Sequence, residues 1–322
     1  MRIAVTGSIA TDHLMTFPGK FTDQLIADKL DKVSLSFLVD ELQIRRGGVA
    51  ANIAFGLACL GLHPLLIGSV GPDFAEYRGW LERHGVDTSG VRESPLRHTA
   101  RFVATTDLVG NQIASFYAGA MSEDVQIELA PLTEHCDLVL IGATDPEAML
   151  SFTSQCRKLG VPFAADTSWQ LARFEGPDVH ELVDGAAYLF SNEYEAALIE
   201  QKTGWTRADV LGHVGTRITT LGADGARIER RGEPAIEVPG IADARMAEPT
   251  GAGDAFRSGF LAAVAWELSL ERAGQLGNLL AVHALETVGT QEYDLKPAPL
   301  TERCAAAYGD AAAAEVGPYL PA

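Results

Sequence analysis

Short apolar runs, rich in β-formers, recur along the chain at 2–7, 65–70, 137–142, 162–166, 186–191 and 217–221. Between them lie longer segments with helical apolar spacing, at 49–60, 147–159, 193–203, 253–268 and 271–287, closed by Gly, Asn or Pro. Strands that alternate with helices need crossover connections, so this rhythm predicts an α/β fold built on a doubly wound, mostly parallel sheet flanked by helices. Such sheets bind ligands beyond the carboxyl ends of their strands. With 322 residues, 47% of them hydrophobic, the chain has material for a large core.

Two stretches break the rhythm. Residues 10–45 and 98–118 alternate apolar and polar side chains, as in Ser34-Leu35-Ser36-Phe37-Leu38 and Thr99-Ala100-Arg101-Phe102-Val103, with a turn at Val109-Gly110-Asn111-Gln112. They predict a small β-sheet lid over the substrate site, leaving 1–9, 46–97 and 119–322 as the nucleotide-binding and catalytic core. A lid there would exclude water from a reactive group.

Several function classes are excluded by composition. A formal net charge of -18 repels a polyanion, and no Lys/Arg cluster interleaves with aromatic residues, which argues against nucleic acid as a partner. No run approaches the roughly 18 apolar residues of a membrane span. The N-terminus reads as a strand entering a glycine turn, so a cytoplasmic protein with no membrane partner is expected. Cys59, Cys136, Cys156 and Cys304 lie far apart without CxxC pairs, which predicts reduced, packing cysteines.

The chemistry concentrates in Pro249-Thr250-Gly251-Ala252-Gly253-Asp254. Two glycines bracket a small residue just before an amphipathic helix, so backbone amides are free to face an anion, and the helix dipole adds to the attraction. Asp254, in the first turn, is placed to take a proton from an attacking hydroxyl while the amides of Gly251, Ala252 and Gly253 stabilise a transferred phosphoryl group. Taken alone, a GxGD is equally a turn and a helix cap. The chain carries neither a Walker A loop, nor GxGxxG after a strand, nor the protein-kinase HRD and DFG elements, so a different phosphoryl-transfer architecture is required.

Longer context supplies one. Glu248-Pro249-Thr250-Gly251-Ala252-Gly253-Asp254-Ala255-Phe256 resembles the C-terminal signature of the ribokinase-like (PfkB) carbohydrate kinases, and Arg46-Gly47-Gly48-Val49-Ala50-Ala51-Asn52 resembles their N-terminal signature. Asn192-Glu193-Tyr194-Glu195 is similar to the NxxE element of that family, and Thr220-Leu221-Gly222-Ala223-Asp224-Gly225-Ala226 to its nucleotide-binding strand and turn. The resemblance implies ATP as donor, Mg2+ as metal, Asp254 as general base, and a primary hydroxymethyl group as acceptor. It implies that Asn192 and Glu195 organise Mg2+ through water, that Thr220, Gly222 and Gly225 line the nucleotide site, that K+ sits near the anion hole in many members, and that the protein is a homodimer. Each element also has a plainer explanation. Asn192 and Glu195 are good helix caps, and Gly222 and Gly225 suit a hairpin turn.

For the acceptor, Asp12 stands just beyond the first strand, where a carboxylate can hold vicinal hydroxyls, and Gly48 and Asn52 are placed to approach the same group. The lid segments carry Phe37, Phe102, Phe116 and Tyr117, which suit a flat base or a small core of the lid itself. Within the family the chain is similar over nearly its whole length to actinobacterial adenosine kinases. That likeness implies adenine between Phe102 and Phe116, ribose held by Ser8, Asp12, Gly48 and Asn52, and Ser36 and Gln170 near the base. Trp169 stands where the adenosine kinase pattern has a second glutamine, which leaves open another nucleoside, or a sugar, as acceptor. A non-catalytic nucleoside-binding protein is the alternative from another class.

Overall fold

The expected strands align side by side in the computed structural model, which describes residues 1–25, 31–32, 34–242 and 244–321. They are β1 (Ile3–Thr6), β4 (Leu65–Val70), β8 (Leu138–Ile141), β9 (Phe163–Asp166), β10 (Tyr188–Asn192) and β11 (Thr216–Thr220). All pair in parallel, in the order β11-β10-β9-β8-β1-β4. Burial on both faces explains the largely apolar runs of β1, β4 and β8, whereas β11, Thr-Arg-Ile-Thr-Thr, is polar in sequence and still mostly buried. Phe55, Phe190, Phe256 and Phe260 pack one face, beneath the helices Val49–Cys59, Ala252–Ala265 and Leu270–Leu285. Phe152, Phe163, Phe174 and Leu182 pack the other, beneath Pro146–Leu159 and Gly176–Val183.

Three strands extend the sheet beyond the sequence expectation. β5 (Asp87–Glu93) pairs in parallel with β4 at one edge, and its polar sequence, Asp-Thr-Ser-Gly-Val-Arg-Glu, conceals it. At the other edge β12 (Gly225–Glu229) and β13 (Ile236–Pro239) add antiparallel to β11, giving nine strands. β1 lies between β8 and β4, so the strand order reverses there and opens a crevice at its carboxyl end.

The chain leaves β1 through Gly7-Ser8-Ile9 and enters a second sheet, ordered β3-β2-β6-β7. Its strands are β2 (Ala10–Thr16), β3 (Glu41–Gly47), β6 (Ala100–Thr106) and β7 (Gln112–Tyr117). The β6–β7 hairpin turns at Gly110, whose φ of 86° is the left-handed region that glycine tolerates. The strand-like alternation at 34–39 makes no ladder. Phe37 instead packs with Phe17 and Phe21, ring centroids 5.0 Å from each, and the strand begins at Glu41. Residues 26–30 and 33 of the expected lid lie outside the described residues. The four cysteines are unpaired, and no helix among the described residues is long and apolar enough to cross a membrane.

Candidate active site

The helix Ala252–Ala265 starts immediately after Gly251, whose φ of 83° and ψ of -5° turn the chain into the first turn. A Cβ at Gly251 would approach Thr290 Cγ2 to 2.9 Å, so the tight entry requires glycine. The first amides of a helix have no intrahelical acceptor, which leaves those beside Gly251, Ala252 and Gly253 directed outward from the helix end. Asp254 sits half-buried in that turn and accepts a hydrogen bond from Asn52 Nδ2 at 2.9 Å. Asn52 is fixed from behind. Its Oδ1 accepts from Thr290 Oγ1 and from Gln291 Nε2, both at 2.9 Å, so its amide nitrogen must face Asp254. Burial pushes the Asp254 carboxyl above its usual range, while Arg257 and the Asn52 amide pull it back.

Opposite this turn, the second sheet presents one continuous cross-strand row. Arg45 pairs with Asp12, Asp12 with Phe102, and Phe102 with Phe116, so all four side chains lie on one face. Asp12 is raised to about 6, chiefly by burial and then by Glu248, with Arg45 opposing. Phe102 and Phe116 are cross-strand neighbours and belong to one wall. The second aromatic surface comes from the core: Trp169 meets Phe116 edge to face, centroids 5.8 Å apart at 63°. Trp169 is 46% exposed, whereas Gln170 is fully buried and spends its amide on the Thr144 carbonyl. A φ of 44° at Ser168 accompanies this reversal. Ser8 is buried and its Oγ accepts from the Val49 amide at 3.0 Å, bracing Gly48 at the start of the helix Val49–Cys59. Ser36 stays exposed on the segment leading to β3.

On the far side of Gly253 lies a cavity of about 490 Å³, lined by Thr220, Gly222, Gly225 and Ala252 and walled by apolar Ile241, Met246, Phe256 and Val282. Gly222 and Gly225 form the β11–β12 turn, with φ of 60° and 96°, so the hairpin and the cavity wall are the same feature. Asn192 and Glu195 form a reciprocal capping box, each side chain 2.8 Å from the other's backbone amide, at the carboxyl end of β10. The capping reading therefore holds for both. It also anchors the Glu195 carboxylate beside the site.

Sequence reading missed three parts of this site. Arg257 and Asp166 form a buried ion pair at 2.6 Å next to Asp254. Thr290 and Gln291 orient Asn52, and Arg45 of β3 pairs at 2.6 Å with Glu248, which also accepts from the Gly289 amide. The ion pair was detectable: Asp166 ends an apolar strand, and Arg257 interrupts the apolar face of Ala255-Phe256-Arg257-Ser258-Gly259-Phe260.

Comparison with known proteins gives a consistent result. The family model "pfkB family carbohydrate kinase" matches residues 10–297. A nucleoside kinase of Methanocaldococcus jannaschii is 28% identical over 295 residues, covering 90% of this chain and 92% of that one. A ribokinase of Bacillus subtilis is 26% identical over 297 residues, covering 90% and 94%. The solved structure of a Burkholderia thailandensis nucleoside kinase in complex with inosine superposes with a TM-score of 0.84 at 32% identity, covering 95% of this chain and 99% of that one.

Proposed function

Because the chain belongs to the pfkB family of carbohydrate kinases, ATP-dependent phosphotransferases with an alcohol group as acceptor, we propose that it is a nucleoside kinase that phosphorylates the 5′-hydroxyl of purine nucleosides, adenosine among them. One observation carries the choice of acceptor: Asp12, Phe102 and Phe116 lie in a single row, facing Trp169. Neighbouring strands are about 4.8 Å apart, so the row extends about 10 Å from carboxylate to last ring. That is the length of a ribose joined to a flat base. A free pentose would fill the Asp12 end and leave the aromatic wall exposed. The relatives include a nucleoside kinase solved with inosine, which supports a purine and widens the acceptor beyond adenosine.

In this reading the second sheet, with residues 10–45 and 98–118, is a lid over the rest of the chain. Asp12 holds the ribose hydroxyls, Gly48 allows close approach of the backbone, and Asn52 fixes Asp254. Asp254 takes the proton from the acceptor hydroxyl as that oxygen attacks, and the amides around Gly251–Gly253, reinforced by the helix dipole, stabilise charge on the transferred group. Thr220, Gly222 and Gly225 bound the nucleotide cavity. Among the described residues no three His, Cys, Asp or Glu side chains converge as a metal cage. That fits Mg2+, which is held mainly by phosphates and waters, with Glu195, braced by Asn192, offering a hard carboxylate through water. When bound, Mg2+ neutralises charge on the donor phosphates. K+ near the anion hole and a homodimer belong to the same reading.

The test is coupled ADP release with adenosine, inosine, guanosine, cytidine, ribose and fructose as acceptors. Purine nucleosides should have the highest kcat/KM; turnover of ribose or fructose well above every nucleoside overturns the assignment. Binding of adenosine without ATP consumption would show instead a non-catalytic nucleoside-binding protein.

A further inference from the structure

The buried guanidinium of Arg257 pairs with Asp166 and lies within electrostatic reach of Asp254 and Glu195. Arg257 is 8% exposed and lies one helical turn after Asp254, on the same face. Its Nη2 donates to Asp166 Oδ1 at 2.6 Å. Its Nη1 lies against the anion-binding turn, since a Cβ built on Gly253 would come within 2.8 Å of it. Phe190 covers the guanidinium from the sheet, 5.9 Å from ring centroid to Cζ. Asp166 closes β9, so the strand end fixes where Arg257 sits, and Arg257 in turn fills the space that Gly253 leaves open.

Asp254 has two other neighbours of note. Asn52 donates one neutral hydrogen bond. Tyr293 is a buried phenol, held neutral because burial raises it well above its usual range. Burial raises the Asp254 carboxyl, and Arg257 is the cation that opposes it.

Resting on the reading of Asp254 as the base, we infer that Arg257, locked in place by Asp166, is a positioning residue that holds Asp254 ionised and ready to accept a proton. Without that cation, burial favours the protonated acid, which cannot act as a base. A nearby cation lowers a carboxyl pKa by about 1–3 units, which sets the size of the effect to look for. The glycine turn shares the contact, because Arg257 Nη1 occupies the space beside Gly253.

The test uses the full chain without acceptor: 13C-carboxyl NMR of aspartate-labelled protein, with Asp254→Asn identifying the resonance. The Asp254 midpoint should rise by about 1 unit or more in Arg257→Gln and Arg257→Met, and stay within a few tenths of wild type in Arg257→Lys. The acid limb of kcat/KM should move by the same amount. An unmoved midpoint in folded Arg257→Gln overturns the inference, as does an equal loss of rate at every pH in all three variants, which is the mark of a structural role. Should the neutral variants fail to fold, the wild type still decides. The Arg257 guanidinium 15N resonances should shift with the Asp254 midpoint and stay flat in Asp254→Asn; a flat wild-type profile rejects the coupling. Failure to phosphorylate any nucleoside would reject the functional reading and leave this titration untouched.

Discussion

Asp254 and Asp12 are both carboxylates raised by burial, yet their chemistry calls for opposite tests. In the proposed reading Asp254 accepts a proton during turnover, so Asp254→Asn, which keeps its shape and its contact with Asn52, should lower kcat by at least about 10²-fold while leaving the chain folded. A variant with wild-type kcat would remove Asp254 from the mechanism. In the same reading Asp12 accepts hydrogen bonds from the acceptor hydroxyls, which only its ionised form does fully. As pH falls through about 6 the nucleoside KM should rise, and Asp12→Asn should abolish that pH dependence. Folding carries the reverse sign. A carboxyl raised from 3.8 to about 6 destabilises the folded chain at neutral pH, and this cost fades as pH falls through that window. The thermal midpoint of Asp12→Asn should therefore exceed that of wild type at pH 7 and converge with it near pH 4; divergence on acidification would contradict the burial argument.

At the scale of elements, legibility follows burial. β1, β4 and β8 are covered on both faces and were visible as largely apolar runs, while β11, Thr-Arg-Ile-Thr-Thr, was visible by its β-branched residues. β5 and β13 are the sheet edges, where residues meet solvent and the pattern fades, and β12, though largely buried, is a five-residue run that carries Arg227 and Glu229. Asp254, the proposed base, and its glycines were visible for a related reason: backbone geometry at a helix entry leaves a local signature. Asp166 and Arg257 are 91 positions apart and meet only through the β9–helix packing, which no local pattern encodes. Gly222 and Gly225 show how one turn carries unequal constraints. A Cβ at Gly222 meets nothing within 4 Å, so Gly222→Ala should cost about 1–2 kcal/mol, the penalty of a left-handed backbone alone. At Gly225, φ is 96° and ψ -122°, and a Cβ would run into the Val238 carbonyl of β13. Gly225→Ala should therefore destabilise by more than Gly222→Ala in urea unfolding and raise the ATP KM. Equal stability of the two variants would mean that the β12–β13 edge does not constrain the turn.

At the scale of the whole molecule, the two sheets differ in how much of their own surface they bury. The large sheet is sealed on both faces, whereas the buried cluster centred on the small sheet is Ala10, Ala100 and Met121, and every residue of β7 is exposed. Phe116 and Tyr117 are 44% and 46% exposed, apolar surface whose burial would be worth about 25 cal/mol per Å². The small sheet is held to the core by polar ties instead, Arg45 to Glu248 and Tyr77 Oη, which donates to the Gly47 carbonyl at 2.9 Å. A partly exposed pair of the first kind is worth about 0–1 kcal/mol, too little to hold a lid shut. In the proposed reading closure draws on the acceptor, whose base would cover Phe102, Phe116 and Trp169. Hydrogen exchange should accordingly show β6 and β7 amides slowed by adenosine or inosine, whereas a non-hydrolysable ATP analogue should slow the β11–β12 turn and leave β7 unchanged. Ribose should give little protection at β7, because it reaches Asp12 without reaching the rings. Protection of β7 by ribose equal to that by a nucleoside would show that hydroxyl contacts alone close the sheet, and the aromatic row would lose its place as the determinant of the acceptor.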